Sequence, residues 1–141
     1  MNLPGRVSAA LAAALLCTVI VAKLSQAAEP RVALKGYDPV AYFTEHRPMK
    51  GVPAHRMDWD GARYQFASAK NRDLFSGDPD RYVPQFSGFC SAALSKGKKI
   101  EGDPNVWKIV DGRLYVFSRA GPAVEDPAVL ARAHAKWKEM K

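Results

Sequence analysis

The sequence is poor in cysteine, and this scarcity excludes a disulfide-bonded framework. Of its 141 residues, only Cys17 and Cys90 carry thiols, and Cys17 lies within an N-terminal apolar segment. The rest of the chain therefore has one thiol, which cannot form a disulfide bond within the monomer. We expect a fold that is stabilised by its hydrophobic core, with Cys90 as a free thiol.

The sequence also lacks the short motifs that mark common enzyme classes. It contains no Gly-x-Ser-x-Gly, no His-Glu-x-x-His, no glycine-rich phosphate-binding loop and no evident carboxylate pair for acid–base chemistry. Paired Cys-x-x-Cys motifs, which mark many zinc sites, do not occur either. Asp38, within Tyr-Asp-Pro, is explained by the capping of a short helix that begins at Pro39. We therefore predict that the protein is not an enzyme.

The sequence has fewer negatively than positively charged residues. It contains 14 aspartate and glutamate residues and 21 lysine and arginine residues, for a net charge of +7. The positive residues are dispersed, apart from a cluster at Lys96, Lys98 and Lys99. Aromatic side chains that could stack on bases do not alternate with them, so the sequence does not favour a nucleic-acid partner. We predict a monomer whose partner is a metal ion, or else an unidentified protein or small molecule.

One long apolar run is present, and it lies at the N-terminus. Arg6 precedes the apolar segment from Val7 to Ala22, and Ser25-Gln-Ala27 supplies small residues of the kind that signal peptidase recognises. The run is shorter than the roughly 20 apolar residues that cross a bilayer. We predict a signal peptide over residues 1–28, a domain over residues 29–141, a periplasmic or secreted location, and no membrane contact beyond the leader.

Two Asp-Gly pairs predict two β-hairpins. Asp60-Gly61 precedes a segment in which Tyr64 and Phe66 alternate with polar residues, the pattern of a half-buried strand. Asp111-Gly112 predicts the second turn, and the residues that it brings together are apolar on one face. The expected partners across this second turn are Ile109 with Leu114 and Trp107 with Val116.

Two helices are predicted to pack against these hairpins. Ser68 is placed to cap a central helix whose buried face carries Asn71, Leu74 and Phe75. The Asn71 amide is expected to be buried and hydrogen-bonded, and Asp126 is expected to cap a C-terminal helix. The predicted fold is a small single α+β domain, in which one antiparallel sheet from the two hairpins packs against the central and C-terminal helices. No internal repeat is evident in the sequence.

A pattern of glycine, aromatic, serine and proline residues runs through the middle of the chain. Its members are Gly61, Tyr64, Phe66, Ser68, Phe75, Pro79 and Tyr82. This pattern resembles the core motif of the YHS domain family, although Ala67 and Asn71 replace the two cysteines of that motif. An upstream family element, Asp-Pro-Val-Cys, is matched by Asp38-Pro-Val-Ala41, also without its cysteine. The chain is similar to the exported, cysteine-poor branch of the family from Gly36 to the C-terminal tryptophan.

The resemblance implies a binding function, with a copper or zinc ion as the expected ligand. Because the motif cysteines are missing, the candidate metal ligands are Cys90 and His55, which we expect to lie close together in space. His46, Met49 and Met57 are secondary candidates, since imidazole and thioether groups suit copper.

Two other interpretations remain open for the same fold. The chain is then either a non-metal interaction module that has lost the metal site, or a thiol redox protein that uses Cys90. A thiol near a helix start favours the reactive thiolate. A free cysteine is equally often a small buried apolar residue, so the sequence does not decide the role of Cys90.

Replacement of Ser68 tests the predicted cap at the start of the central helix. We expect Ser68→Ala to lower the free energy of unfolding by about 1 kcal/mol, because an N–H group in the first turn loses its acceptor. Urea denaturation of both proteins measures the difference. An unchanged midpoint would contradict the cap.

Overall fold

The structure is a computed structural model that describes residues 28–141. The predicted signal peptide lies outside the described residues, except for Ala28. In chain order the elements are β1 (Arg31–Val32), α1 (Ala41–Thr44), β2 (Val52–Trp59), β3 (Ala62–Phe66), α2 (Ala69–Gly77), α3 (Pro79–Tyr82), α4 (Ser91–Leu94), β4 (Asp103–Val110), β5 (Arg113–Phe117), α5 (Pro122–Glu125) and α6 (Pro127–Glu139). No helix within residues 28–141 is long and apolar enough to span a membrane.

The strands form two sheets, and the mixture of strands and helices confirms the predicted α+β class. β3 pairs in parallel with β1 and antiparallel with β2, whereas β4 and β5 form a separate antiparallel pair. The two predicted hairpins therefore lie in different sheets rather than in one. The reason is that the outer edge of β3 is occupied by β1, and the outer edge of β5 is occupied at Val116 by a bridge from Cys90.

Both hairpins reverse at the predicted Asp-Gly turns. In each turn the aspartate and the glycine have positive φ angles, the geometry of the type I′ turn that Asp-Gly favours. The second hairpin pairs Ile109 with Leu114 and Trp107 with Val116, which confirms the predicted register. Turn chemistry and apolar pattern therefore agree on the pairing.

The central helix α2 begins at the predicted cap, because the Ser68 hydroxyl accepts a hydrogen bond from Asn71 N–H at 3.1 Å. Phe75 packs against Tyr64 of β3, with ring centroids 5.1 Å apart. Leu74, which the sequence places on the buried face, is 37% exposed. The buried face is narrower than predicted because Phe75 is the one fully buried side chain of this helix.

The C-terminal helix α6 covers one face of the second hairpin. Asp126 caps the helix as predicted, since its carboxylate accepts a hydrogen bond from Ala128 N–H at 2.9 Å. Val129 and Ala133 are buried in a cluster with Tyr115 of β5. This helix therefore covers the face of β5 that carries Tyr115.

The opposite face of β5 joins the N-terminal part of the chain to the C-terminal part. Leu34 and Tyr42 pack against Leu114 and Val116 in one buried cluster. The Tyr42 hydroxyl also donates a hydrogen bond to the Pro104 carbonyl at 2.8 Å. Both faces of β5 are therefore buried, which makes this strand central to the fold.

The structure corrects the expectation that the chain has no internal repeat. β2 and β3 reappear 51 residues later as β4 and β5, with the same lengths. Each hairpin has a register shift at the same place, between Val52 and Arg56 and between Asp103 and Trp107. Between Gly51 and Phe66 the residues that are identical at this spacing are Gly51 and Gly102, Pro53 and Pro104, Asp60 and Asp111, Gly61 and Gly112, Tyr64 and Tyr115, and Phe66 and Phe117. We term residues 33–77 the first half and residues 85–125 the second half.

Each half also begins with the same unusual turn, in which three consecutive residues have positive φ angles. The Gly51 amide donates a hydrogen bond to the Gly36 carbonyl at 2.8 Å, and the Gly102 amide donates to the Gly88 carbonyl at 3.1 Å. A Cβ atom at Gly51 or Gly102 would lie under 3.0 Å from neighbouring atoms, so both close approaches require glycine. The turn residues are Leu34, Lys35 and Gly36 in the first half and Phe86, Ser87 and Gly88 in the second.

Tyr64 and Tyr115 occupy equivalent positions in the two halves, but their hydroxyl groups differ in hydrogen bonding. The Tyr64 hydroxyl is buried and has no hydrogen-bond partner within residues 28–141. Burial raises the pKa of Tyr64 to about 12, so this phenol stays neutral at physiological pH. The Tyr115 hydroxyl lies 2.9 Å from His134 Nε2 and is therefore hydrogen-bonded.

We expect Tyr64→Phe to leave the free energy of unfolding unchanged or to raise it, because an unsatisfied buried hydroxyl is removed. Tyr115→Phe is the matched control, and it should lower the free energy of unfolding by about 1 kcal/mol because it removes an existing hydrogen bond. Urea denaturation of the three proteins measures both effects. Equal losses in the two variants would show that Tyr64 has a partner after all.

Candidate functional site

A cavity of about 770 Å³ opens beside Cys90 in the second half. Its walls are formed by α4, by the loop between α4 and β4, and by the segment that joins β5 to α5. Small-molecule sites in proteins typically enclose about 300–1,000 Å³. This space, which we term the Cys90 cavity, is therefore large enough for a small organic molecule.

Cys90 contributes a buried thiol to the cavity lining. Its side chain is 1% exposed, and its sulfur caps helix α4 by accepting a hydrogen bond from Ala93 N–H at 3.4 Å. The thiol also donates to the Ser118 hydroxyl at 3.4 Å. The Cys90 backbone N–H donates to the Ile100 carbonyl at 2.8 Å, which fixes the position of the residue. Cys90 is the one free cysteine among residues 28–141.

Three positively charged side chains line the same cavity, namely Lys96, Lys98 and Arg119. All three are exposed, and none forms a salt bridge with a carboxylate in the described part of the chain. The lining contains no aspartate, glutamate or histidine. The mouth of the Cys90 cavity therefore carries an excess of positive charge, which solvent and salt partly screen.

A second cavity of about 260 Å³ lies beside Ala67 and Asn71 in the first half. Next to it, the fully buried carboxylate of Asp38 accepts three hydrogen bonds, from Val40 N–H and Ala67 N–H at 2.8 Å and from Asn71 Nδ2 at 2.7 Å. These donors satisfy a buried carboxylate without a cationic partner. Asp38 therefore joins the start of α1 to the β3–α2 loop and to α2 itself.

The sequence anticipates part of this arrangement. The predicted cap at Asp38 is wrong, because α1 begins at Ala41 rather than Pro39 and its N-cap is Val40, with no side-chain cap bond. The bond from Val40 N–H to Asp38 lies in the turn before the helix. Asn71 is hydrogen-bonded through its side chain as expected, but it is half-buried, and its partner is the Asp38 carboxylate. The burial of Asp38 is missed by sequence reasoning, because an aspartate at a helix start is usually exposed.

The residues predicted as metal ligands lie on different elements. His55 is half-buried in β2 and does not line the Cys90 cavity. His46 is exposed after α1, Met49 lines the smaller cavity, and Met57 packs against the core of the first half. Within residues 28–141, no group of three or more His, Cys, Asp or Glu side chains is placed to hold a metal ion.

The third histidine of the described residues, His134, takes part in packing. Its ring meets the ring of Phe86 edge-on with centroids 4.9 Å apart, and its Nε2 lies 2.9 Å from the Tyr115 hydroxyl. Burial lowers the pKa of His134, and the positive charges of Arg113 and Lys138 lower it further. The neutral ring is therefore favoured, in keeping with a structural role.

No known family model matches the chain, and neither a curated protein nor a solved structure matches it. The likeness to the YHS domain therefore rests on the motif residues, and the role of the site rests on its own geometry.

The Asp38–Asn71 bond yields a test of the buried carboxylate. We expect Asn71→Leu to lower the free energy of unfolding by about 2 kcal/mol, because Asp38 loses one of its three donors and stays buried. Asn105→Leu is the matched control, since Asn105 donates to the exposed carboxylate of Asp103. That change should cost less than about 0.5 kcal/mol. Urea denaturation distinguishes the two, and equal effects would contradict the importance of Asp38.

Proposed function

We propose that this chain is an exported, non-catalytic binding protein of the YHS type, and that the Cys90 cavity is its ligand site. The observation that carries the proposal is a cavity of about 770 Å³ whose lining combines a buried free thiol with three cationic side chains. A concave site with a few polar groups in an otherwise apolar wall is typical of small-molecule binding.

The walls of the cavity are fixed by backbone contacts, which suits a preformed binding site. The hydrogen bond from Cys90 N–H to the Ile100 carbonyl holds α4 against the loop before β4. The bond from Gly102 N–H to the Gly88 carbonyl holds the end of the same loop. A site that rests on fixed backbone loses little conformational entropy when a ligand binds.

The chemistry of the lining supports binding rather than catalysis. Many cysteine nucleophiles are activated by a neighbouring base that takes the thiol proton. The lining of the Cys90 cavity offers no histidine or carboxylate for that purpose. The redox alternative is supported less well, because the described residues contain no second cysteine with which Cys90 could exchange a disulfide.

Export is supported by the N-terminal sequence, in which Arg6 precedes an apolar run and a small-residue cleavage pattern. In an oxidising compartment an exposed single thiol would react with other thiols. Cys90 is only 1% exposed, so its thiol is protected from reaction with other thiols. A buried free thiol is therefore compatible with a periplasmic or secreted location.

A copper or zinc ion is the second candidate ligand, because the Cys90 sulfur is a soft donor with two weak hydrogen bonds of 3.4 Å. The three cations of the lining disfavour a metal ion. Calorimetric titration of the wild type and of Cys90→Ser with Cu(I) and Zn(II) tests this candidate. Metal binding that is lost in the variant would favour it over a small organic ligand.

The cavity proposal is tested by a blocking substitution and a screen of small molecules. Amide spectra of labelled protein are recorded with a defined set of acidic, basic and neutral fragments. We expect some fragments to shift the amides of Ala92, Lys96 and Ser118, which line or adjoin the cavity, because they enter it. Ala120→Trp should abolish these shifts, because Ala120 lines the cavity and the indole would fill it.

Ala131→Trp is the control for this experiment, because Ala131 is exposed on α6 and does not line the cavity. It should leave the fragment shifts in place. Fragment shifts that survive in Ala120→Trp, or a complete absence of shifts in the wild type, would reject the cavity as the ligand site.

A further inference from the structure

The internal repeat extends from the hairpins to the two cavities. Asp38 N–H donates to the Met49 carbonyl at 2.8 Å, and Cys90 N–H donates to the Ile100 carbonyl at the same distance. Asp38 and Cys90 both follow the turn with three positive φ angles, at a spacing of 52 residues. The side chain of Asp38 and the side chain of Cys90 therefore occupy equivalent positions in the two halves.

The partners of these two side chains also lie at corresponding chain positions, although the bonding atoms differ, because a backbone N–H donates to Asp38 and a side-chain hydroxyl accepts from Cys90. The Asp38 carboxylate accepts a hydrogen bond from Ala67, and the Cys90 thiol donates to Ser118, which lies 51 residues further along the chain than Ala67. The cavity linings correspond at the same spacing, since Met49, Ala67 and Ser68 line the first cavity and Ile100, Ser118 and Arg119 line the second. The two cavities are therefore two versions of one site.

The two versions differ in where negative charge is located. In the first half the protein supplies a carboxylate at the shared position, and the donors Ala67 N–H and Asn71 Nδ2 bind it. In the second half the shared position holds the smaller, neutral side chain of Cys90, and the cavity is about 770 Å³ rather than about 260 Å³. The second half therefore has a thiol beside a larger cavity, whereas the first half has a bound carboxylate beside a smaller one.

The lining of the second cavity is also more positively charged than the lining of the first. The lining of the first cavity contains Glu45 and Lys70, which offset each other. The lining of the second contains Lys96, Lys98 and Arg119 and no acidic residue. Arg119 takes the position of Ser68, so one of these cations is introduced at a site that is neutral in the first half. A carboxylate in the Cys90 cavity would offset this positive charge.

We propose that the Cys90 cavity binds a small organic acid whose carboxylate lies beside Cys90, next to the position that corresponds to the Asp38 carboxylate of the first half. This inference rests on the proposed function, because it specifies the ligand class of the same cavity. The Asp38 carboxylate of the first half indicates the chemical group expected in the ligand. The cations at the mouth of the cavity favour an acid over neutral and basic molecules of the same shape.

Three ring compounds of similar shape test the charge of the ligand: benzoate, benzamide and benzylamine. Calorimetry and amide spectra measure their binding to the full mature chain. We expect benzoate to bind about tenfold more tightly than benzamide, since hydrogen bonds to a charged group are stronger than neutral ones. Benzylamine should bind more weakly than either. The affinity for benzoate should fall as salt concentration rises.

Single charge removals then locate the site. We expect Arg119→Gln and Lys96→Gln each to weaken benzoate binding several-fold and to leave benzamide binding unchanged. Lys70→Gln is the matched control, because Lys70 lines the first cavity and not the Cys90 cavity. It should leave benzoate binding unchanged. Equal weakening by all three substitutions would show a general charge effect and overturn the assignment.

Cys90→Asp is the sharpest variant, because it introduces at the shared position the side chain that the first half has there. We expect it to abolish benzoate binding, since its own carboxylate offsets the cations of the cavity and repels the carboxylate of the ligand. Circular dichroism confirms that the variant is folded, and if it is not, the Arg119→Gln and Lys96→Gln results decide. Benzamide binding that equals benzoate binding would overturn this inference and leave the cavity as a ligand site. No binding of any fragment would reject both.

Discussion

The buried carboxylate of Asp38 is the interaction on which the first half depends. It accepts hydrogen bonds from Val40, Ala67 and Asn71, and so connects α1, the β3–α2 loop and α2. A buried carboxylate without donors would cost several kcal/mol, so these three segments are held in one arrangement. The same arrangement places Phe75 of α2 against β3, where the core of the first half forms.

The second half uses the same backbone plan with weaker contacts at the equivalent point. Cys90 has two hydrogen bonds of 3.4 Å to sulfur in place of three short bonds to a carboxylate. Stability is supplied instead by helix α6, whose residues Val129 and Ala133 are buried against β5. Because packing replaces the polar contacts, the position of Cys90 is free to face a cavity. The repeated architecture thus has a buried, hydrogen-bonded carboxylate in one half and a thiol beside a larger cavity in the other.

The contacts between the halves explain why they form one core. Leu34 and Tyr42 from the first half bury Leu114 and Val116 of the second. Arg31 adds a link, since its guanidinium bonds to Glu101 at 2.8 Å and lies 4.4 Å from the centroid of the Phe89 ring. These contacts connect residues far apart in the sequence and join the two separate sheets into one core.

The Asp-Gly turns and the caps of the two longer helices were determined by the sequence alone, because their chemistry acts over three or four residues. Asp-Gly fixes a type I′ turn, and Ser68 and Asp126 each accept a hydrogen bond from an N–H nearby in the chain. Features that join distant residues were decided by the tertiary structure. The third bond of Asp38 spans 33 positions, and Arg119 joins Lys96 at the Cys90 cavity only because β4 and β5 fold back between them. The repeat lies between these cases. Its six shared residues are visible in the sequence, but most of the intervening positions differ, since one half buries its hairpin under α2 and the other under α6.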